Sequence, residues 1–202
     1  IAEGETPLLK WTQVANTTDV VSPLVFINGS EVVRWDFGDG SAQVVSKTPT
    51  HQYSVAGNYV IRMYANNVDP ADIYGIDIRN ISTRNINATG DIDFSQLTGL
   101  NGSSSGNLLI SNNNLLTDVV WPVSMISPRL VFVSNCNLQG AIDFSFIHDN
   151  LLQLDFGQNP GLTSAYIPTL AGVNLIRSSY NTGLSTLNLS NVSFISISMI
   201  DV

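Results

Sequence analysis

The residues with the chemistry for catalysis or metal binding are few in this sequence. Asp36 and Asp39 stand three apart in Trp35-Asp36-Phe37-Gly38-Asp39-Gly40. Loop carboxylates suit a calcium ion, but a dedicated site gathers about six to eight oxygen ligands. Asp-x-x-Asp falls short of that, and Asp39 between two glycines reads as a turn residue, so no metal site is expected. Asp91, Asp93 and Asp143 raise the question of an acid/base pair. Asp93 and Asp143, however, fall at equivalent places in a duplicated passage, Gly90-Asp91-Ile92-Asp93-Phe94-Ser95 and Gly140-Ala141-Ile142-Asp143-Phe144-Ser145. Repetition accounts for them without catalysis. As strands two layers apart they would stand on the order of 10 Å from each other at about 4.8 Å per strand. That exceeds the roughly 5 to 9.5 Å between glycosidase carboxyls. His51 and His148 are the only histidines; the first reads as a strand residue and the second as a surface turn. Cys136 is the single cysteine. It cannot form an internal disulfide, and it reads as a buried structural thiol rather than a reactive one. No Ser-His-Asp order or phosphate-binding glycine loop appears. The sequence therefore predicts no catalytic residues, no cofactor and no enzyme.

Composition narrows the remaining classes. Of the 202 residues, 44% are hydrophobic and 12% charged, which describes a packed chain rather than a disordered one. Neither Glu nor Lys occurs after Lys47, so good surface-helix formers are scarce and long exposed helices are not expected. The net charge of −8 with scattered Arg disfavours nucleic acid as a partner. It also disfavours docking on anionic membranes, and no apolar run approaches the roughly 20 residues that span a bilayer. The chain begins at Ile1 without a signal-like segment, the expectation for a processed or trimmed product.

The elements that must position any site come from a repeat. Asn112-Asn113-Asn114-Leu115, Asn135-Cys136-Asn137-Leu138, Asn159-Pro160-Gly161-Leu162 and Asn181-Thr182-Gly183-Leu184 all read Asn-x-x-Leu, spaced by 23, 24 and 22 residues. A period of this size marks a solenoid. Upstream of these asparagines stand Leu130 with Phe132, Leu154 with Phe156, and Ile176 with Ser178; residues two apart on a strand share a face, so each pair is expected in the core. Asn107 and Leu109 at the same places make the first full repeat look atypical. The duplicated passage adds an earlier coil at Asn85-Ile86-Asn87-Ala88. A buried asparagine amide both donates and accepts, so it can satisfy backbone groups where the chain turns, giving a ladder when coils stack. Phe94, Trp121 and Phe144 lie nine residues after Asn85, Asn112 and Asn135, a phase that predicts core filling.

Before the repeats, residues 1–68 read as short strands. Val33, Trp35 and Phe37 share one face of a strand that runs into Gly38-Asp39-Gly40. Tyr59, Ile61, Met63 and Ala65 alternate in another, and Tyr59 after Gly57 suits a tyrosine-corner tie. Asn66 to Pro70 reads as a short, defined hinge.

Trp35-Asp36-Phe37-Gly38-Asp39-Gly40-Ser41, Thr50-His51-Gln52-Tyr53 and Ala56-Gly57-Asn58-Tyr59 together resemble the signature of the polycystic-kidney-disease (PKD) domain over roughly residues 20–66. The resemblance implies an immunoglobulin-like sandwich, used extracellularly for adhesion or as a spacer. Residues 73–202 resemble irregular bacterial leucine-rich repeats, which often follow such a module in surface proteins; similar pairs occur in bacteriophage structural proteins.

The expected architecture is all-β: a PKD-like sandwich over 1–68 and, over 69–202, a leucine-rich-repeat solenoid of five or six coils with a parallel sheet. The expected function is non-enzymatic, as a secreted or cell-surface adhesion or protein-interaction module. Its binding face would carry Val131, Asp155 and Arg177 on the concave side and meet a protein or glycan partner. The alternative is a structural subunit, such as a virion decoration or filament protein. Phe194 to Ile200 reads as an alternating strand, and the next asparagine would fall beyond Val202. This predicts either a cut chain or neighbouring subunits covering the uncapped coil.

Overall fold

The computed structural model describes residues 5–65, 68–69, 72–98, 100, 106–123, 126–148, 150–189 and 192–194. Among them there is no α-helix. One six-stranded sheet, the seam sheet, runs in the order β11 (Leu115–Val120), β9 (Ala88–Asp93), β1 (Leu9–Ala15), β7 (Gly57–Tyr64), β4 (Arg34–Asp36) and β5 (Val44–Val45). A second, the ladder sheet, runs β17 (Leu175–Arg177), β14 (Gln153–Asp155), β12 (Leu130–Phe132), β10 (Asn107–Leu109), β8 (Ile73–Asp77) and β3 (Leu24–Ile27). Beyond β11 a three-stranded sheet joins β13 (Gln139–Asp143), β15 (Gly161–Tyr166) and β18 (Thr186–Asn188). Two short pairs complete the described chain, β2 (Val20–Val21) with β6 (His51–Gln52) and β16 (Leu170–Val173) with β19 (Val192–Phe194).

The N-terminal strands form an immunoglobulin-like sandwich, and the rest is a β-solenoid of about four turns. Five or six coils were expected from the sequence; part of the predicted strand at Phe194 to Ile200 lies outside the described residues. Both sandwich sheets continue into the solenoid. In the seam sheet β1 pairs antiparallel with β7 on one side and with β9 on the other. In the ladder sheet β3 pairs antiparallel with β8, which starts the parallel ladder with β10. Buried apolar residues from Leu8 to Ile176 form one cluster. The expected hinge is therefore not a joint between two cores, although Asn66, Asn67 and Pro70 are not among the described residues. Val68 beside them is buried at 5% exposure. A solenoid end otherwise exposes an unpaired edge and an open core; here the sandwich covers it.

The ladder sheet corrects the register read from the sequence. Its inward row is Val25, Ile76, Leu108, Val131, Leu154 and Ile176, register partners in successive strands. The asparagines that follow this row by five residues are Asn113, Asn159 and Asn181, all buried, with Cys136 at the same place in the intervening coil. Asn112 and Asn135 instead occupy left-handed backbone, φ 69° and 52°, as Asn85, Gln158 and Tyr180 do in their coils. The sequence had aligned one kind of asparagine with the other. With the correct register the inward pairs are Leu108 with Ile110 and Val131 with Val133, and the supposedly atypical first repeat is regular. Each buried amide ties its coil to the preceding one. Asn113 Oδ1 accepts from Ala88 N at 2.9 Å while its Nδ2 donates to Ile78 O at 3.0 Å. Asn159 does the same with Leu138 N and Val133 O.

The duplicated passage has its own physical meaning. Gly90 and Gly140 both take φ near +70°, and both pairings they belong to, β9 with β11 and β13 with β15, carry a register shift. In each the extra residue on the following strand is a threonine, Thr117 or Thr163. Two coils thus make one larger repeat. Asp93 and Asp143 end the first strand of each, where Oδ1 accepts the N–H of Ser95 or Ser145 at 2.8 Å.

Candidate functional site

Of the three residues expected on the binding face, Val131 is not there. It is fully buried in the inward row, because the face was assigned from the shifted register. Phe132 takes its place: Asp77, Leu109, Phe132, Asp155 and Arg177 are register partners across the sheet. A second outer row runs Gly75, Asn107, Leu130, Gln153 and Leu175. At the β8 end, Asp77 is buried at 2% exposure and its charge is met by Arg79 at 2.7 Å and Arg84 at 2.9 Å. Among the described residues the outer face thus runs from this buried ion cluster at β8 to β17.

At the β17 end a groove of about 250 Å³ is lined by Ser134, Asp155, Gly157, Gln158, Arg177, Ser179 and Tyr180. Asp155 Oδ1 accepts the N–H of Gly157 at 3.1 Å, which turns the chain out of β14. Burial pushes the Asp155 carboxyl above its usual range, although that N–H, Arg177 and the Ser134 hydroxyl oppose the effect. Arg177 is only loosely paired, with 4.0 Å between Nη1 and Asp155 Oδ2, and its side chain is 55% exposed. Its guanidinium therefore has donors left for a ligand. Gly157 passes so close to the next coil that an added Cβ would lie 2.9 Å from Ser179 O. Gln158 and Tyr180 hold φ of 58° and 61°, a conformation that asparagine accepts readily and a bulky side chain does not. Tyr180 is nevertheless 68% exposed. A strained backbone thus presents an aromatic ring beside a half-buried carboxylate and a loosely paired, half-exposed guanidinium.

Sequence reasoning missed Phe132, Gln158 and Tyr180. Their signal was the five-residue offset between an apolar residue and the buried asparagine. That offset selects Asn113 over Asn112 and marks the residue before each ladder position as a turn.

The signature residues of the sandwich form a separate cluster. Asp36 Oδ1 accepts from Gly38 N at 2.8 Å and Asp39 Oδ1 from Ser41 N at 3.0 Å, so each carboxylate builds its own turn. His51 Nε2 lies 2.8 Å from Asp39 Oδ2 and its ring stacks on Phe37 at 4.4 Å. Burial works against the Asp39 charge, but the Ser41 and His51 contacts outweigh it and hold the carboxyl below its usual range. Tyr53 stacks on Tyr59 at 4.3 Å and donates to Phe37 O at 3.0 Å. Tyr59 donates to Val55 O, four residues upstream, at 2.9 Å, the tie expected of a tyrosine corner.

Residues 12–72 match the PKD domain family. The match begins within β1, a strand the sequence alone did not identify, and ends just before β8. The PKD domain is typically an extracellular protein-interaction module, and neither it nor a β-solenoid is in general a catalytic fold. No curated protein and no solved structure matches the chain. No helix among the described residues is long and apolar enough to cross a membrane.

Proposed function

We propose that this protein is a non-enzymatic, secreted or cell-surface recognition module in which the PKD domain seals and orients a leucine-rich-repeat-type solenoid. The surface partner, a protein, is held by the groove and outer rows of the ladder sheet. The observation carrying this reading is Tyr180: strained backbone and an exposed ring beside Asp155 and Arg177 make sense as a binding edge. Buried aromatic and arginine anchors dominate protein interfaces energetically. The flanking strand positions Phe132, Leu130 and Leu175 supply apolar area around them.

The test applies the purified chain to immobilised secreted and cell-surface proteins, with an Asp155→Ala/Arg177→Ala/Tyr180→Ala variant alongside. Retention that falls about tenfold or more in the variant, with Tm falling by no more than about 2 °C, supports the reading. Equal retention of both proteins, or none of the wild type, defeats it.

A further inference from the structure

We infer that the cleft between β11 and β13 is a binding site for a single neutral pyranose residue, on the sheet opposite the ladder. Along this side of the solenoid β9 pairs with β11, and β13 with β15 and then β18, each through a backbone ladder. Between β11 and β13 the described strands share one backbone bond at their start, Asn137 N to Leu116 O at 2.9 Å. Past it they stand more than 8 Å apart over nearly all their length. The break coincides with the boundary between the two larger repeats and with the ladder position held by Cys136. The thiol there contacts Ser134 O, within its own coil, at 3.5 Å and accepts backbone N–H groups of Asn112 and Asn113 from the preceding coil, but it lacks the two amide donors of an asparagine.

The wedge so opened has a volume of about 140 Å³ and is lined by Asp118, Val119, Trp121, Leu138, Gln139, Ala141, Ile142, Asp143 and Leu162. Its chemistry is mixed in the way a sugar requires. Asp118, Gln139 and Asp143 are exposed; Gln139 Nε2 donates to Asn137 O at 2.7 Å and Asn137 Oδ1 at 3.0 Å, which fixes its Oε1 as an acceptor beside the two carboxylates, a set suited to the O–H donors of vicinal hydroxyls. Trp121 is half-buried, braced by Phe146 in a stack at 4.6 Å and by Phe144 at 5.7 Å. An indole held rigidly in this way suits the apolar C–H face of a sugar ring. Val119 N, on the strand facing the cleft, is capped by Asp118 Oδ1 at 2.7 Å rather than by a neighbouring strand.

Shape argues against an inserted peptide strand. The backbone bond at Leu116 closes one end, and the space is well below the roughly 300 to 1,000 Å³ of pockets for larger ligands. The two exposed carboxylates argue against an anionic sugar. A compact, neutral, hydroxyl-rich ring answers both constraints.

The test uses the full chain labelled with ¹⁵N and follows the indole N–H of Trp121, assigned by Trp121→Phe. Trp11 and Trp35 are buried at 1% and 0% exposure and serve as silent references. Methyl glycosides of glucose, galactose, mannose and N-acetylglucosamine are titrated singly, and an extended strand-forming heptapeptide serves as the competing probe. The expected result is a saturable shift of Trp121 with at least one glycoside. Affinity should weaken about tenfold in Gln139→Ala/Asp143→Asn, a loss typical of a missing charged hydrogen bond. Both substituted side chains are exposed, so the variant's unchanged thermal transition separates lost binding from lost fold. No shift with any glycoside, a shift that the double variant retains in full, or saturation by the heptapeptide alone would overturn the inference. None of these results depends on the ladder-sheet groove.

Discussion

Gln13 Oε1 accepts the backbone N–H of Asn87 at 3.1 Å, joining the first strand of the PKD domain to the first turn of the solenoid. The same side chain donates through Nε2 to Asn85 O at 3.1 Å and accepts from the Trp11 indole at 3.2 Å. It does for the first coil what Asn113 and Asn159 do for later ones. On the outer side, Lys10 Nζ lies 3.0 Å from Asp93 Oδ2, and Arg62 lies 3.4 Å from Asp36. Asp36, Arg62, Lys10, Asp93 and Val120 are register partners across the seam sheet. Domain and solenoid are therefore expected to unfold together.

Replacing the buried Gln13 by leucine would leave the partly buried Asn87 N–H and Asn85 C=O without this partner. Unsatisfied buried groups cost about 1–3 kcal/mol each, so a loss of about 2–4 kcal/mol is expected. Calorimetry should show one transition at lower temperature. Hydrogen exchange should quicken at residues 85–88 and in β1 together. Lys10→Ala, removing a half-exposed ion pair, should change stability by less than about 1 kcal/mol. Two separate transitions in the wild type would refute the shared core.

The ladder makes a paired prediction. Asn113→Ala strands the Ala88 N–H and the Ile78 carbonyl, with an expected cost of about 2–4 kcal/mol. Cys136→Asn should move the other way, raising stability by about 1 kcal/mol through one added inter-coil bond. Urea denaturation measures both. In the native protein burial pushes the Cys136 thiol up to about 11, so iodoacetamide at pH 8 should label it only after unfolding. A thiol that reacts in the native state, or a destabilised Cys136→Asn, would contradict its place as a buried ladder residue.

What the sequence disclosed, and what it hid, follows from how each feature is encoded. Alternation exposed Val33, Trp35 and Phe37 directly, since one face of a strand is buried and the other wet. The solenoid period was equally legible. Its register was not, because Asn112 and Asn135 answer a different demand, left-handed backbone, from that of Asn113, Asn159 and Asn181, buried amide bonding. Two uses of one residue type, adjacent in sequence, shifted the reading by one, and a one-residue slip moves every side chain to the other face. That slip put Val131 on the surface. The central role of β1 was hidden as well, because its partners β7 and β9 lie far along the chain. A β11–β13 break leaves no local signal except a cysteine where an amide was due.

Acid should weaken the seam and the sandwich in a defined direction. Burial disfavours the Asp93 charge, but hydrogen bonds from Ser95 and the Lys10 ammonium prevail and lower its carboxyl below the usual range; Asp39 is lowered by Ser41 and His51 against the same penalty. A carboxyl depressed in the folded state stabilises above the unfolded value and loses that contribution as pH falls through the folded one. Stability should therefore drop as pH descends from the ordinary carboxylate value to the depressed ones. The drop should be shallower in Asp93→Asn and Asp39→Asn. Parallel curves for wild type and variants in urea titrations at stepped pH would disprove these assignments.

Asp155 predicts the reverse, and together with Tyr180 it tests whether the groove is maintained against stability. Burial raises the Asp155 carboxyl despite Gly157 N–H and Arg177, so the folded state holds the proton more tightly than the unfolded one. Its charged form is thus a destabilising presence above the folded value, and the penalty disappears as pH falls below the unfolded value. Asp155→Asn, which keeps an oxygen for Gly157 N–H, should raise Tm at neutral pH, with the gain shrinking towards acid. Tyr180→Asn should add about 1 kcal/mol by placing a tolerant residue at φ 61°. Both substitutions remove groups the proposed partner would contact. Higher Tm with weaker retention on that partner is the signature of a site kept for function. If either variant binds as tightly as the wild type while being more stable, the strain at Tyr180 and the charge at Asp155 serve nothing in recognition.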